Sequence, residues 1–524
     1  MNTTVNKIGG KNMLQLDVVL NAINIFEERG EKIVLVVSAF EKVTNKLYKA
    51  MDDLNEKDYS EDDINKAFET VKTAHDAVIE KSFEGEYKTE AYTAYESMFA
   101  VLRQALVSHK QISKVLMPVV NSYEIRDQVI GFGEDMSRTL LGVYLRQNGK
   151  HVQTYGDVKC KKTTEKGGKV SNRKIEKGIH AAIRKSLERG KETDTKDDKT
   201  IRIFGGHVGG TPRGISIDQG RGYSDVTGVD VAIVLREEGE NIKATRFLKD
   251  VRGVYTANPK KLDGKKSAAV LHEDISVKIA LEIAGAGSKL INPRALSRAL
   301  KHKIPLEIRD INNLRDDKGT SISGKNLLTR HAFKTIVTNM NVDAITIDIP
   351  EMADEAGFIA AISAIFAKHG ISIDGVFPEG TSITFSIPLP EDESDRNVER
   401  EKLQAVIKDL KTIEVNDEQY NVDDDDIELD QSRASISVVG KEMHDRVGIL
   451  ANISGVFSAF GINITAVVHG RKQNRIHFLI DKQDCQRAEQ LLHSIFVDGD
   501  SEVIREFIER RSEQTKALTA TFRS

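Results

Sequence analysis

The segment GFIAAISAIFAKHGISID, beginning at Gly357, is matched without gaps by GILANISGVFSAFGINIT, beginning at Gly448. A chain that writes one unit twice is expected to fold it twice and to bury the same face in each copy. Isoleucine and phenylalanine recur at helical spacing in both, as Ile362 and Phe366 and as Ile453 and Phe457. That spacing predicts an amphipathic helix whose apolar stripe is core packing. Alternating stretches flank each helix: AITIDIP from Ala344 and SISVVG from Ser435 precede it, ISID and INIT follow, then SITFSI and RIHFLI. Each copy therefore reads as β-α-β-β. The acidic run NVDDDDIELD from Asn421 is expected as a solvated connector between the copies, and DCQRAEQLLHSIF as the completion of one of them. Residues from about Glu513 onward are expected to be loosely ordered.

Before Lys325 the rhythm differs. KIVLVVSA, from Lys32 to Ala39, is a short valine-rich run of the kind found in strands covered on both faces. From about Met51 to Val129 charged, periodic sequence predicts a helical insertion, after which a helix over Ser137–Arg146 leads to a strand at Val152. A lysine- and threonine-rich connection around one helix, Arg173–Arg189, follows. The whole is an α/β pattern. With 524 residues, 39% hydrophobic and 30% charged, the chain can bury a sizeable core and divide into two to four domains. Lysine and arginine (76) nearly balance aspartate and glutamate (80), so no global basic field exists for gripping nucleic acid. Cys160 and Cys485 are far apart in sequence, which excludes a disulfide framework and a cysteine-rich metal site and predicts inert thiols in a reducing compartment. IVLVVSAF is too short to span a bilayer, so no membrane partner and a cytoplasmic location are expected.

Residues 205–228, GGHVGGTPRGISIDQGRGYSDVTG, connect a strand-like IRIF to a helix-like DVTGVDVAIVLREEG. Strand, glycine turn, helix is an order that presents unpaired N–H groups to a phosphate. A flexible loop uses glycine equally well, so other segments must decide. Lys7-Ile8-Gly9-Gly10 ends a short first strand, and Ser38 sits at the C-terminal end of the valine-rich strand, where parallel α/β sheets place ligands. KDVRGVYTANPKKL begins at Lys249, and GSKLINP contains Lys289.

Taken in this order, these segments resemble the aspartate kinases of the amino acid kinase superfamily, and the resemblance covers nearly the whole chain. KIGGKN is similar to that family's KFGGTS, VVSAFEKVTN to its VVSAMGxxTN, and GEDMSRTLL to its GExxSAxLL. GRGYSD, DVRGVYTANPK and AGSKLINP are similar to its GRGGSD, DVxGVYTADPR and FGAKVLHP. The resemblance implies a three-layer α/β/α sandwich over residues 1–325, with a helical insertion at 52–128. Two ferredoxin-like α+β ACT domains, at 335–425 and 430–512, would follow. It also implies transfer of the γ-phosphoryl group of ATP to the side-chain carboxylate of L-aspartate, with Mg²⁺ held mainly by the phosphates. Such chemistry needs cations around the transferred group and no general base, because a carboxylate is already ionised at neutral pH.

Matched position by position, Lys7 would stabilise the transferred phosphoryl group while Gly9, Gly10 and Gly206 supply backbone donors. Ser38, Glu134, Arg221, Ser224 and Asp225 match the substrate site, with Arg221 suited to the α-carboxylate and Glu134 to the α-ammonium. Asp250, Tyr255, Lys260 and Lys289 match the nucleotide site. Met352, Gly357, Phe358, Ile359 and Asp374 match the neighbourhood where the family's ACT domains take an amino-acid effector, here lysine or threonine, at a homodimer interface. Lys11 and Asn12 depart from the family's threonine and serine, Tyr223 from a glycine, Asn258 and Lys260 from aspartate and arginine, and Lys249 from threonine. The GRGY variant with its long helical insertion resembles the branch associated with ectoine-producing bacteria. No homoserine dehydrogenase segment is expected after the repeats. Two alternatives stay open: a kinase acting on glutamate or N-acetylglutamate, and an amino-acid-sensing protein whose phosphate site is spoiled by Lys11.

Overall fold

The computed structural model describes residues 2–55, 59–116, 122–156, 158, 171–191, 199–209, 215, 222–262, 268–288, 290–324, 333–391, 393–441, 443–445, 447–470 and 474–521. It divides into two compact units. The first comprises Met1–Val254, Glu273–Val277 and Ile291–Asn326, and the second Tyr255–His272, Lys278–Leu290 and Leu327–Ser524.

The first unit is built on an eight-stranded sheet. Its strands are β1 (Thr3–Ile8), β2 (Lys32–Val37), β3 (Val152–Tyr155), β4 (Ile201–Gly205), β5 (Ile242–Lys249), β6 (Asp274–Ser276), β7 (Leu306–Asp310) and β8 (Gly319–Ser323). They lie in the order β3-β4-β2-β1-β5-β7-β8-β6. Pairing is parallel from β3 to β7, and β8 runs antiparallel to β7. The chain leaves β1 toward β2 on one side and returns at β5 on the other, which places a ligand-accepting crevice at the C-terminal ends of these strands. Helices Leu16–Glu28 and Ser122–Gln147 pack on one face of the sheet and helix Ser224–Glu237 on the other, giving the α/β/α layering.

Valine and isoleucine fill β1 and β2 because both faces are covered: Val5, Ile8, Val34, Leu35, Val36 and Val37 are fully buried. One polar network interrupts this core. Arg246 on β5, 2% exposed, stacks on Phe26 and reaches Glu31, Glu307 and Asn6. Beyond β2 run helices Val43–Asn55, Glu61–Ser82 and Gly85–Leu116. Ser60 and Asp63 form a reciprocal capping box at the start of the second, the kind of cap that contributes about 1 kcal/mol. Phe40, Phe68, His75, Tyr95, Phe99 and Phe132 pack ring against ring where these helices meet the domain.

The expected helix over Ser137–Arg146 is longer than its apolar spacing announces, running from Ser122 to Gln147 straight through Gly131 and Gly133. Those glycines serve close packing: a Cβ at Gly133 would stand 3.0 Å from Ala39 Cβ and from Leu47 Cδ1. Glu134 is consequently a helix residue. The helix expected over Arg173–Arg189 spans Asn172–Lys191.

The second unit carries the repeat. Strand β9 (Phe333–Asp348) leads to helix Phe358–Lys368, strands β10 (Gly375–Glu379) and β11 (Ser382–Pro388), helix Glu393–Leu410 and a hairpin of β12 (Thr412–Val415) and β13 (Glu418–Asn421). The second copy runs β14 (Ile427–Gly440), helix Ile449–Ala459, β15 (Ile464–His469), β16 (Arg475–Asp481) and helix Cys485–His493. The six longer strands form one sheet in the order β10-β11-β9-β14-β16-β15, with β9 and β14 antiparallel at its centre. Ile362 and Phe366 are fully buried in the core of the first copy, and Ile453 and Phe457 in the core of the second. Both helices start on a glycine with positive φ, Gly357 at 126° and Gly448 at 82°.

Three expectations need correction. ISID is not a strand, since pairing begins at Gly375, and the strand expected at INIT starts at Ile464. The acidic run does lie exposed between the copies at Asp423, Asp424, Asp425 and Asp426, but its ends are strand: Asn421 ends β13, Asp424–Asp426 form one 3₁₀ turn, and Ile427–Asp430 open β14. Of the run's aspartates only Asp430 enters the sheet, where pairing with Ala344 of β9 overrides its low strand propensity. The C-terminal segment is also ordered past Glu513, in helix Ser501–Thr521. Its face packs on the second repeat, where Gln514 bonds the Ser458 carbonyl at 2.8 Å.

Candidate active site

Lys7 is carried to the crevice by β1, whose alternation turns it toward helix Ser224–Glu237. A Cβ at Gly228 would lie 3.5 Å from Lys7 Cβ, so the helix approaches closely here. Lys7 Nζ meets Asp225 Oδ1 at 2.7 Å with both side chains under 10% exposed. Burial alone would push the Asp225 carboxyl up. The charges of Lys7 and Lys249 and hydrogen bonds from Lys7 and from the Asn292 backbone (3.1 Å) outweigh it, holding the group below the usual carboxylate range. At the end of β5, burial pulls the Lys249 ammonium below the ordinary lysine range, Lys7 adds to the depression, and Asp225 opposes it. One lysine thus pairs with the buried aspartate, and the charge of a second acts on it.

Ser38 joins this group from β2. Its amide donates to the Ile8 carbonyl at 3.1 Å, and its hydroxyl lies 2.8 Å from that of Ser224 at the start of the helix. Gly10 opens the short helix Gly10–Met13, and a Cβ there would sit 2.4 Å from the Ala39 carbonyl oxygen. Gly9, in contrast, has nothing within 4 Å of a built Cβ. Gly206 plays a part other than the donor expected of it: its amide is committed to the Val37 carbonyl at 2.9 Å. What it supplies is closeness, since a Cβ would stand 2.3 Å from Ser224 Cβ.

Glu134 approaches from helix Ser122–Gln147. Burial raises its carboxyl to about 7, against the pull of His207, Lys7 and a hydrogen bond from the Ala39 amide, with Asp135 adding to the rise. Among the departures, Asn12 donates to the Leu248 carbonyl at 3.2 Å and so ties the first glycine turn to β5. Lys11 pairs with Asp250 at 2.6 Å in an exposed contact, so the cation that replaces a hydroxyl has its own counter-charge. Tyr223 is buried, donates to Asp230 at 3.4 Å and packs against the Arg298 guanidinium. Asp230 also holds Arg298 and His180.

The structure therefore brings Lys7, Ser38, Glu134, Ser224, Asp225, Gly9, Gly10 and Gly206 to the strand ends of the first unit, with Asp250 after β5. Tyr255 and Lys260 belong to the second unit, where Tyr255 bridges Leu271 and the Lys260 amide donates to Asn258 Oδ1 at 3.1 Å. Arg221 and Lys289, and most of the glycine-rich loop, lie outside the described residues, as does Cys160. Cys485 is buried, and its thiol is pushed up to about 12, as an inert structural thiol should be.

Of the residues matched to an effector site, Gly357 caps helix Phe358–Lys368. Phe358 is core and packs edge-on against Tyr420, Ile359 is 45% exposed, and Met352 is half-buried. Asp374 faces the second copy, 3.6 Å from both Arg475 and His477. Sequence reasoning missed His207 and Asp127 of the first unit, which form an ion-pair contact beside Glu134. The signal was a histidine directly after the paired glycines.

An amino acid kinase family model matches residues 2–310, and an ACT domain model matches residues 436–496. The chain is 25% identical to aspartokinase 2, chloroplastic, of Arabidopsis thaliana over 502 residues, covering 95% of this chain and 85% of that protein. It is 22% identical to lysine-sensitive aspartokinase 3 of Escherichia coli over 492 residues, covering 94% and 98%. The crystal structure of E. coli aspartokinase III in complex with aspartate and ADP superposes with a TM-score of 0.69 at 20% identity, over 94% of this chain and 99% of that one. No helix among the described residues is long and apolar enough to cross a membrane. Lys7, from the KIGG run, lies buried against Asp225 at the strand ends of the first unit, and the family model matches more than half of the sequence: the chain belongs to the amino acid kinase family.

Proposed function

We propose that the chain is an aspartate kinase, transferring the γ-phosphoryl group of ATP to the side-chain carboxylate of L-aspartate to give an acyl phosphate. The observation that carries this reading is the buried Lys7–Asp225 ion pair beside the Ser38–Ser224 hydroxyl pair, with the half-buried Lys249 near enough for its charge to act on Asp225. Phosphoryl transfer between two anions needs cations near the reacting oxygens far more than it needs a base. Lys7, held by Asp225, can turn part of its charge to an incoming phosphoryl oxygen without leaving a buried carboxylate bare, because Lys249 remains. The Glu134 carboxylate takes the α-ammonium group of the acceptor, and Arg221 its α-carboxylate. The hydroxyls of Ser38 and Ser224 orient the reacting side chain.

A magnesium ion brought with the nucleotide neutralises phosphate charge. The nearby carboxylates, Asp225 and Asp250, are already engaged by Lys7 and Lys11, a donor set that suits an ion held chiefly by the phosphates. The sequence match assigns Asp250, Tyr255, Lys260 and Lys289 to the nucleotide. Pairing of Lys11 with Asp250 argues against a spoiled phosphate site. The C-terminal repeats form an amino-acid-responsive module in a homodimer, with lysine or threonine as the effectors to try first. This places the chain at the head of aspartate-derived amino acid or ectoine synthesis. The test is hydroxylamine trapping of the acyl phosphate with L-aspartate, L-glutamate and N-acetylglutamate in turn. Hydroxamate from aspartate is expected, and hydroxamate from another acid alone, or from none, overturns the reading.

A further inference from the structure

His207 follows Gly205 and Gly206 at the end of β4, with its side chain 13% exposed. Its Nε2 lies 3.3 Å from Asp127 Oδ1, and Asp127, itself 5% exposed, also accepts the Ile215 amide at 2.9 Å. Asp127, Gly131 and Glu134 are spaced by four and three along helix Ser122–Gln147 and so share one face, turned toward the end of β4. That face is shaped for an imidazole. A Cβ at Gly131 would stand 2.7 Å from His207 Cδ2, so the helix could not carry another residue there without displacing the ring.

The charged groups acting on this histidine are Asp127, Glu134 and Asp135; those acting on Glu134 are His207, Lys7 and Asp135, with the Ala39 amide as a hydrogen-bond donor. Burial works against a charged imidazole, but Asp127 and the two further carboxylates outweigh it and hold His207 above its ordinary value. Glu134 has no such surplus. Burial leaves it titrating near neutrality even with His207 in place, so its charge depends on its neighbours.

We propose that His207, clamped by Asp127, is a positioning and specificity residue for the amino-acid substrate: as an imidazolium it keeps Glu134 in the carboxylate form that pairs with the α-ammonium group. This rests on the reading of Glu134 given above. The arrangement favours acceptors with a free ammonium group over N-acylated ones, since an N-acyl group offers the ionised Glu134 no charge to pair with.

The test varies L-aspartate at saturating MgATP between pH 6 and 9 for the full-length wild type, His207→Gln and Asp127→Asn, with Glu134→Gln as control. An asparagine at 127 still offers an oxygen to the Ile215 amide while removing the charge. In His207→Gln the acid limb of kcat/KM for aspartate moves up by about one pH unit, as the loss of one neighbouring charge requires. At pH 7 that takes Glu134 from about half ionised to about a tenth, so KM for aspartate rises about fivefold. The KM for MgATP stays in place, kcat changes far less than KM, and the variant approaches wild type at pH 9. Asp127→Asn moves in the same direction, and the double variant is no worse than His207→Gln. An unshifted acid limb in both single variants, or equal losses in kcat and in the KM for MgATP, overturns the proposal and leaves His207 a packing residue. If Glu134→Gln leaves the aspartate KM unchanged, the Glu134 assignment itself fails, and the proposal with it. If only the His207 and Asp127 variants are silent, the assignment stands and the proposal alone falls.

Discussion

Lys7 and Asp225 meet at 2.7 Å across the end of β1, each with a side chain less than 10% exposed. Removing Lys7 leaves Asp225 buried with only the longer-range charge of Lys249 to offset it, a change that costs up to about 3–5 kcal/mol. Lys7→Met should therefore lower the melting temperature as well as abolish a transition-state cation, with kcat falling by about 10²–10³. Asp225→Asn should also destabilise, for it leaves Lys7 and Lys249 facing one another. The sign with pH follows from the depressed Asp225 carboxyl. Its contribution is present above the unfolded value near 3.8 and is lost as pH falls through the lower folded value, so the wild type and Asp225→Asn should converge in stability in strong acid. Thermal melts across pH and hydroxamate yields check both parts.

Gly206 and Gly9 separate packing from ligand binding. A Cβ at Gly206 meets Ser224 Cβ at 2.3 Å, whereas at Gly9, with φ −77° and ψ 157°, it meets nothing. Gly206→Ala should cost about 1–3 kcal/mol and push Ser224 away from Ser38. Gly9→Ala should leave the melting temperature unchanged. Any loss of turnover in Gly9→Ala then reports on the approach of the nucleotide, read as a raised KM for ATP.

His75 is enclosed by Phe40, Tyr95 and Phe132, with Nδ1 against the Val71 carbonyl at 2.8 Å. Burial drives it from 6.5 down to about 4. Between those values the unfolded chain binds a proton that the folded one refuses, so stability falls as pH drops from about 6.5 to about 4. A shift of this size corresponds to about 3 kcal/mol. His75→Leu should flatten the dependence across that window, and urea melts at pH 7 and pH 4.5 measure it.

Much of this site was legible because its chemistry is written in short contiguous runs. KIGG, the serine after the valine-rich strand, and the SD that opens helix Ser224–Glu237 each occupy the end of one element, and a parallel sheet gathers such ends in one crevice. The repeat was equally plain, since Ile362 and Phe366 must occupy in one copy what Ile453 and Phe457 occupy in the other. What was not legible depends on packing between elements distant in sequence. Nothing near Gly131 says that an imidazole from the end of β4 presses against it. Nor does the GGH of residues 205–207 say that Gly206 spends its amide on Val37. The acidic run from Asn421 announced its solvation, since Asp423, Asp424, Asp425 and Asp426 are exposed, but not the strand that follows them, because membership of a six-stranded sheet is decided by β9 alongside Ile427–Asp430.

Arg246 offers the sharpest test of the first unit's interior. It is 2% exposed, its Nη1 reaches Glu31 at 3.0 Å and Asn6 at 3.1 Å, and its Nε reaches Glu307 at 3.1 Å. Lys243 also touches Glu31, at 3.1 Å, but is itself nearly half exposed and cannot replace the planar fork. Burial alone would raise the Glu31 carboxyl, yet Arg246 and then Lys243 hold it below its ordinary value. Arg246→Leu should therefore cost about 3–5 kcal/mol at pH 7, where Glu31 must stay charged in a desolvated place. Lowering the pH acts oppositely on the two proteins. The wild type loses the contribution of Glu31 as pH falls through its depressed folded value, while the variant gains by letting a now raised Glu31 take up a proton. The gap between their unfolding free energies should thus narrow from pH 7 to pH 4, and a gap that is constant over that range would assign the loss to the contact with Phe26 instead of to charge.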